Sequence, residues 1–231
     1  MSGRVLAIFA HPDDVDFGAA GTVARWVRDG WDVRYVCVTR GQKGAWDAHM
    51  DVEEYGALRE AEQRAAAKAV GVDDVTFLNW MDSEVFDSLD LRLALSREFR
   101  RHQPHRLLTM VPDPLPTDRF VNHPDHRAVG QAALDITMTG GTTASIFPEL
   151  LGEGLEPWRE CRETWLMGPA VKPTAVDITE TIDQKIAAIR CHASQIGDRD
   201  IETTMRQRLR DAGRAFGLPY AETFRVISYR R

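Results

Sequence analysis

The stretch Arg4-Val5-Leu6-Ala7-Ile8-Phe9-Ala10, followed at once by His11-Pro12-Asp13-Asp14, leaves this chain few folds to choose from. A continuous apolar run of that length reads as a strand buried on both faces, as in a parallel sheet covered by helices on either side. Pro12 suits the first position of a helix, where its missing N–H costs nothing. The chain therefore runs strand, sharp turn, helix. His11 falls near the cap and both aspartates in the first turn, where the positive end of the helix dipole favours carboxylates. Open α/β sheets bind their ligands at this edge.

The design recurs. Leu107-Leu108-Thr109-Met110-Val111 leads, through a stretch rich in Pro and Asp, to His123-Pro124-Asp125-His126 and a helical pattern over Ala128, Val129, Ala132, Ala133 and Leu134. Residues three apart share a helix face, so His123 can point with His126 as His11 can with Asp14. One His-Pro pair is an ordinary helix entry. Two of them after two buried strands, with four of the 7 histidines at 11, 105, 123 and 126, are harder to explain that way. Together the tetrads offer three histidines and three carboxylates, enough for a two-histidine, one-carboxylate metal site with acid and base groups to spare.

The rest of the chain fits a single domain spanning 1–231, a doubly wound, mostly parallel, Rossmann-like α/β sheet with helices on both faces. Further strands are expected at 32–39, 75–78 and 106–111, with edge strands at 164–167 and 175–178 and a short one in the tail. Helices are expected at 53–70, 89–101, 181–194 and 199–210. The segment 137–162 holds no period for long and reads as an irregular loop over the site, facing substrate. With 29 Lys and Arg against 35 Asp and Glu the net charge is −6, which argues against a nucleic-acid partner. Cys37, Cys161 and Cys191 lack CxxC spacing, and Cys37 reads as a small core residue. No apolar run approaches the ~20 residues of a membrane span, and the first strand begins too early for a secretory leader. A cytoplasmic location is expected, with self-association left open.

These motifs resemble those of the LmbE-like, or PIG-L, family of metal-dependent N-acetylglucosaminyl deacetylases. Ala10-His11-Pro12-Asp13-Asp14 and His123-Pro124-Asp125-His126 match its two signatures. Thr39-Arg40-Gly41-Gln42-Lys43-Gly44, Arg59-Glu60-Ala61-Glu62 and Lys185 through His192-Ala193-Ser194-Gln195 follow its pattern too. One departure is Val15, where an acidic residue often stands, with Asp16 next. The resemblance implies that His11, Asp14 and His126 hold a metal ion, with zinc favoured and ferrous iron suited to the same donors. It implies further that Arg59 reaches the substrate and that Asp82 contacts sugar hydroxyls. Arg40, delivered with Thr39 to the same edge as His11, joins them as an expected substrate contact.

The expected activity is hydrolysis of the N-acetyl group of an N-acetylglucosamine-containing conjugate, a small-molecule substrate. A metal with an open position lowers the pKa of a coordinated water toward ~7 and polarises the carbonyl. Asp13, beside a ligand but itself unbound, would serve as general base. His123 would stabilise the oxyanion as an imidazolium, its charge favoured by Asp125. The alternatives are amidase action on a sugar-linked thiol conjugate, or a non-catalytic or iron-binding metal protein on the same fold.

Overall fold

The computed structural model describes residues 2–114, 116 and 121–229. Among them the strands are β1 (Arg4–Phe9), β2 (Asp32–Thr39), β3 (Val75–Trp80), β4 (Arg106–Met110), β5 (Glu163–Met167), β6 (Thr174–Asp177) and β7 (Ala221–Ser228). The helices are α1 (Asp14–Arg28), α2 (Val52–Ala69), α3 (Leu89–His102), α4 (Pro124–Met138), α5 (Glu149–Gly152), α6 (Ile182–Arg190), α7 (Ala193–Ile196) and α8 (Ile201–Arg214). The strands form one sheet in the order β3-β2-β1-β4-β5-β7-β6. The first five run parallel, and β7 is antiparallel to both of its neighbours.

β1 pairs with β2 on one side and with β4 on the other, so the sheet reverses its winding between β1 and β4. That is the switch point, where the loops after two adjacent strands part to opposite faces and leave a crevice. Both tetrads lie beyond the carboxyl ends of these two strands. The apolar runs that predicted the strands supply the core: Leu6, Ile8, Phe9, Val36, Leu107 and Leu108 are fully buried. α4 comes close to the end of β4 because residue 130 is glycine. A Cβ there would lie 2.4 Å from the Met110 carbonyl oxygen.

Two sequence expectations are corrected here. The segment 137–162 does not cover the crevice. α4 carries the chain from the crevice back to the amino-terminal edge of the sheet, and the segment packs there against α3. Arg100, 1% exposed, binds the carbonyls of Gly140, Thr143, Ile146 and Leu155, and Trp158 Nε1 donates to Pro104 O at 2.7 Å. The backbone there is irregular because a buried guanidinium organises its carbonyls, a pattern no local periodicity announces. The second correction concerns the helix expected over 181–194, which breaks after Arg190. His192 stands at the start of α7, wholly buried, with Nε2 2.8 Å from Asp16 Oδ2.

Candidate active site

His11 follows β1 directly, and its backbone N–H donates to Asp14 Oδ2 at 2.8 Å, tying the tetrad into a tight turn. Its Nε2 donates to Asp125 Oδ2 at 3.0 Å and lies 3.3 Å from Asp82 Oδ1. Both partners are carboxylates, so Nε2 keeps a proton. Burial acts downward on the imidazole, but its hydrogen bonds to Asp125, Asp14 and Asp82 hold it well above its ordinary value. Nδ1 faces the crevice, where its lone pair would serve a metal once its proton is displaced. There it meets His126 Nε2 at 3.2 Å and Asp14 Oδ2 at 3.5 Å, while His126 Nε2 is 3.1 Å from Asp14 Oδ1.

Donor atoms ~2.0–2.1 Å from a tetrahedral centre stand ~3.3 Å apart, so this spacing fits a single divalent ion. His11, His123 and His126 also lie close enough to hold an ion, as do His11, Asp82 and Asp125. In that group, however, Asp125 Oδ2 already accepts the Ser83 N–H at 2.7 Å, as an acceptor that orients the imidazole does. Burial alone would raise the Asp14 carboxyl. The charge of His126 and hydrogen bonds from His11 and His126 outweigh it and hold Asp14 far below the usual carboxylate range.

Asp13 sits beside these donors in a left-handed conformation, φ 93°, rare for a residue with a side chain. Two residues of α2 hold it there. Gln63 Oε1 accepts its N–H at 2.8 Å, and Arg59 Nη2 reaches both Asp13 Oδ2 (3.1 Å) and Pro12 O (2.5 Å). Arg59 Nη1 donates to Gly41 O at 3.1 Å, and a Cβ at Gly41, whose φ is +62°, would collide with the guanidinium. Burial pushes the Asp13 carboxyl up to about 6, helped by the Asp14 charge and opposed by Arg59. Behind this layer Gln63 Nε2 donates to Asp16 Oδ2 at 2.9 Å, so Asp16 and His192 brace the glutamine that holds Asp13.

The structure thus gathers His11, Asp13, Asp14, His123, Asp125 and His126 in one crevice, with other predicted members placed differently. Asp125 is fully buried and turns its carboxylate to His11, while its N–H donates to His123 Nδ1 at 3.2 Å. Burial and the neighbouring His11 charge then hold His123 below its ordinary value, despite Asp125. With Nδ1 accepting the Asp125 N–H, the geometry favours a neutral ring with its proton on Nε2 over the expected imidazolium. Arg59, 3% exposed, directs Nη1 and Nη2 to Gly41, Pro12 and Asp13 beneath the crevice. Glu62, three residues along the same helix, accepts from the Ser194 N–H and hydroxyl. Asp82 supports His11. Burial acts upward on its carboxyl, but the hydrogen bond and charge of His11 bring it down to about 2. Arg40 pairs with Glu53 and Glu60 of α2.

None of Arg40, Arg59 and Asp82 lines the cavity that opens at the donors. That cavity, about 630 Å³, has Asp13, Asp14 and His126 at its reactive end and Met110 and Met167 from the strand ends. Its far wall is α8, through Met205, Arg208, Leu209 and Ala212. The sequence reading missed this wall, although Met205, Leu209 and Ala212 are spaced as one face of an otherwise charged helix.

Two imidazoles and a carboxylate beside an unligated carboxylate, at the switch point of an open sheet, fit a class: mononuclear metal-dependent hydrolases. Residues 6–137 match the family model for GlcNAc-PI de-N-acetylase, PIG-L, and the chain belongs to this family. A diacetylchitobiose deacetylase of Thermococcus kodakarensis is 28% identical, the match covering 97% of this chain and 83% of the relative. A 1D-myo-inositol 2-acetamido-2-deoxy-alpha-D-glucopyranoside deacetylase of Mycobacterium sp. (strain JLS) is 30% identical, covering 84% and 74%. Among solved structures, N,N'-diacetylchitobiose deacetylase from Pyrococcus horikoshii superposes with a TM-score of 0.88 at 32% identity, covering 97% of this chain and 84% of that one.

Proposed function

We propose that this protein is a zinc-dependent hydrolase that removes the N-acetyl group from an N-acetylglucosamine-containing conjugate. The observation that carries the reading is the meeting of His11 Nδ1 and His126 Nε2, 3.2 Å apart, with the Asp14 carboxylate, whose two oxygens lie 3.5 and 3.1 Å from them, and with Asp13 beside them on the same cavity. The names of the relatives, deacetylases of acetylated amino sugars, support it.

His11, Asp14 and His126 would hold the ion, which when bound supplies Lewis acidity to polarise the amide carbonyl and acidify the attacking water. Asp13 takes the proton of that water as its oxygen bonds to the carbonyl carbon, then gives it to the amine as the C–N bond breaks. Acetate and the free amino sugar leave. Arg59 and Gln63 keep the Asp13 carboxylate aimed while this happens, and neutral His123 donates its Nε2–H to the carbonyl oxygen as negative charge gathers there. Asp125 fixes the His11 tautomer.

A small-molecule substrate and a cytoplasmic location belong to this reading. Cys37, Cys161 and Cys191 are free thiols, and no helix among the described residues is long and apolar enough to cross a membrane. The alternatives, a thiol-conjugate amidase and a non-catalytic or iron-binding protein, draw no support from the relatives' names.

The test is metal analysis combined with an assay of primary-amine release from N-acetylated amino sugars. The zinc-loaded protein should contain one ion per chain and release amine, and alanine at His11, Asp14 or His126 should abolish both. Full activity in a metal-free triple variant would end the proposal.

A further inference from the structure

We infer that Arg208 on α8 selects substrates whose amino sugar carries an acidic substituent, a carboxylate or a phosphate. This rests on the deacetylase reading and names the substrate class of the same cavity. The helix carries arginines at 206, 208, 210 and 214. Arg206 pairs with Asp183 and Glu202, Arg210 with Tyr220 and Gln207, and Arg214 with Asp211. Arg208 has no hydrogen bond or ion pair among the described residues. It also lies on a different face, one turn from Met205 and beside Leu209, on the side of α8 that lines the cavity.

The charge balance inside the cavity points the same way. Each of its carboxylates is already answered by other groups. Asp14 belongs to the metal donors and Asp13 to Arg59. Glu222 is 2.7 Å from Lys185 Nζ and accepts the N–H groups of Gly21 and Thr22. Arg208, exposed at this wall, is the cation there that no described group answers. A neutral substituent offers it no partner. An acidic one meets a planar fork of donors suited to carboxylate and phosphate alike. The cavity volume lies within the ~300–1,000 Å³ usual for small-molecule sites.

Three matched probes test this on the zinc-loaded protein: the methyl and carboxymethyl glycosides of N-acetylglucosamine, and N-acetylglucosamine 1-phosphate. The expected result is a kcat/KM at least about 10-fold higher for one or both acidic probes than for the methyl glycoside. Which acidic probe leads distinguishes carboxylate from phosphate. Arg208→Ala should erase that preference mainly through KM and affect the methyl glycoside far less, and Arg208→Lys should restore part of it. Equal treatment of the three probes by the unaltered protein, or an equal loss on all three in Arg208→Ala, overturns the inference. If no probe is hydrolysed, the deacetylase reading falls, and calorimetric binding of the carboxymethyl glycoside decides the inference separately. Binding lost in Arg208→Ala upholds it, and binding unchanged refutes it.

Discussion

Asp13 combines three properties that a general base on this fold needs: a strained backbone that aims it, an arginine that holds it, and a carboxyl brought to about 6 by burial. A base works when ionised, so activity is lost as pH falls through its pKa. The pH profile of kcat/KM should therefore rise through about pH 6. Asp13→Asn should lower kcat by roughly 10²–10⁴-fold while metal content stays full, and should abolish that acidic limb. Arg59→Met should move the limb upward, because the guanidinium pulls the carboxyl down. A limb that survives in Asp13→Asn would assign the base to another group. The tetrads were legible because each is four consecutive residues at a helix entry, where local geometry fixes direction. Arg59, Asp82 and Arg40, expected at the substrate, turn to protein partners, because a side chain's target depends on what packs against it. Arg59 lies 47 positions from the Pro12 carbonyl it binds, and no spacing rule reports that.

At the scale of the element, α4 shows how a helix would deliver a ligand to the proposed zinc site. His126 is fixed only if the first turn of α4 lies against the end of β4, and Gly130, one turn further on, permits that approach. Gly130→Ala would press a methyl group into the Met110 carbonyl. The expected cost is about 1–3 kcal/mol, a fall in Tm of several degrees, with weaker zinc binding measured by competition with a chelator. Normal stability and normal affinity together would show that the contact relaxes freely. The helices and parallel strands were read to within a few residues, because buried strands and amphipathic helices differ in period. The segment 137–162 was misplaced for the opposite reason. A run without a period tells nothing about which edge of the sheet receives it, and the buried Arg100 that receives it sits on another helix.

Across the whole molecule, the proposed metal donors join the first and second halves of the sheet, since His11 and Asp14 follow β1 and His126 follows β4. Binding an ion there should stabilise the native chain, by about 4 kcal/mol at a zinc concentration some 1,000-fold above Kd. Calorimetry should show Tm falling by roughly 8–16 °C when the metal is chelated, and His126→Ala should remove most of that difference. An unchanged Tm would mean that the donors do not bind zinc together. The parallel sheet was foreseen. The insertion of β7 between β5 and β6 was not, because a strand's neighbours depend on partners that its own residues do not name. That antiparallel end of the sheet, with α8 beside it, forms the cavity wall opposite the metal donors. All the groups proposed to react come from residues 11–126, whereas α8 and the strand ends facing them come from 167–223. Inheritance can thus act on the two separately: drift in the last quarter of the gene re-aims the enzyme at a new conjugate, while the hydrolytic apparatus passes down intact.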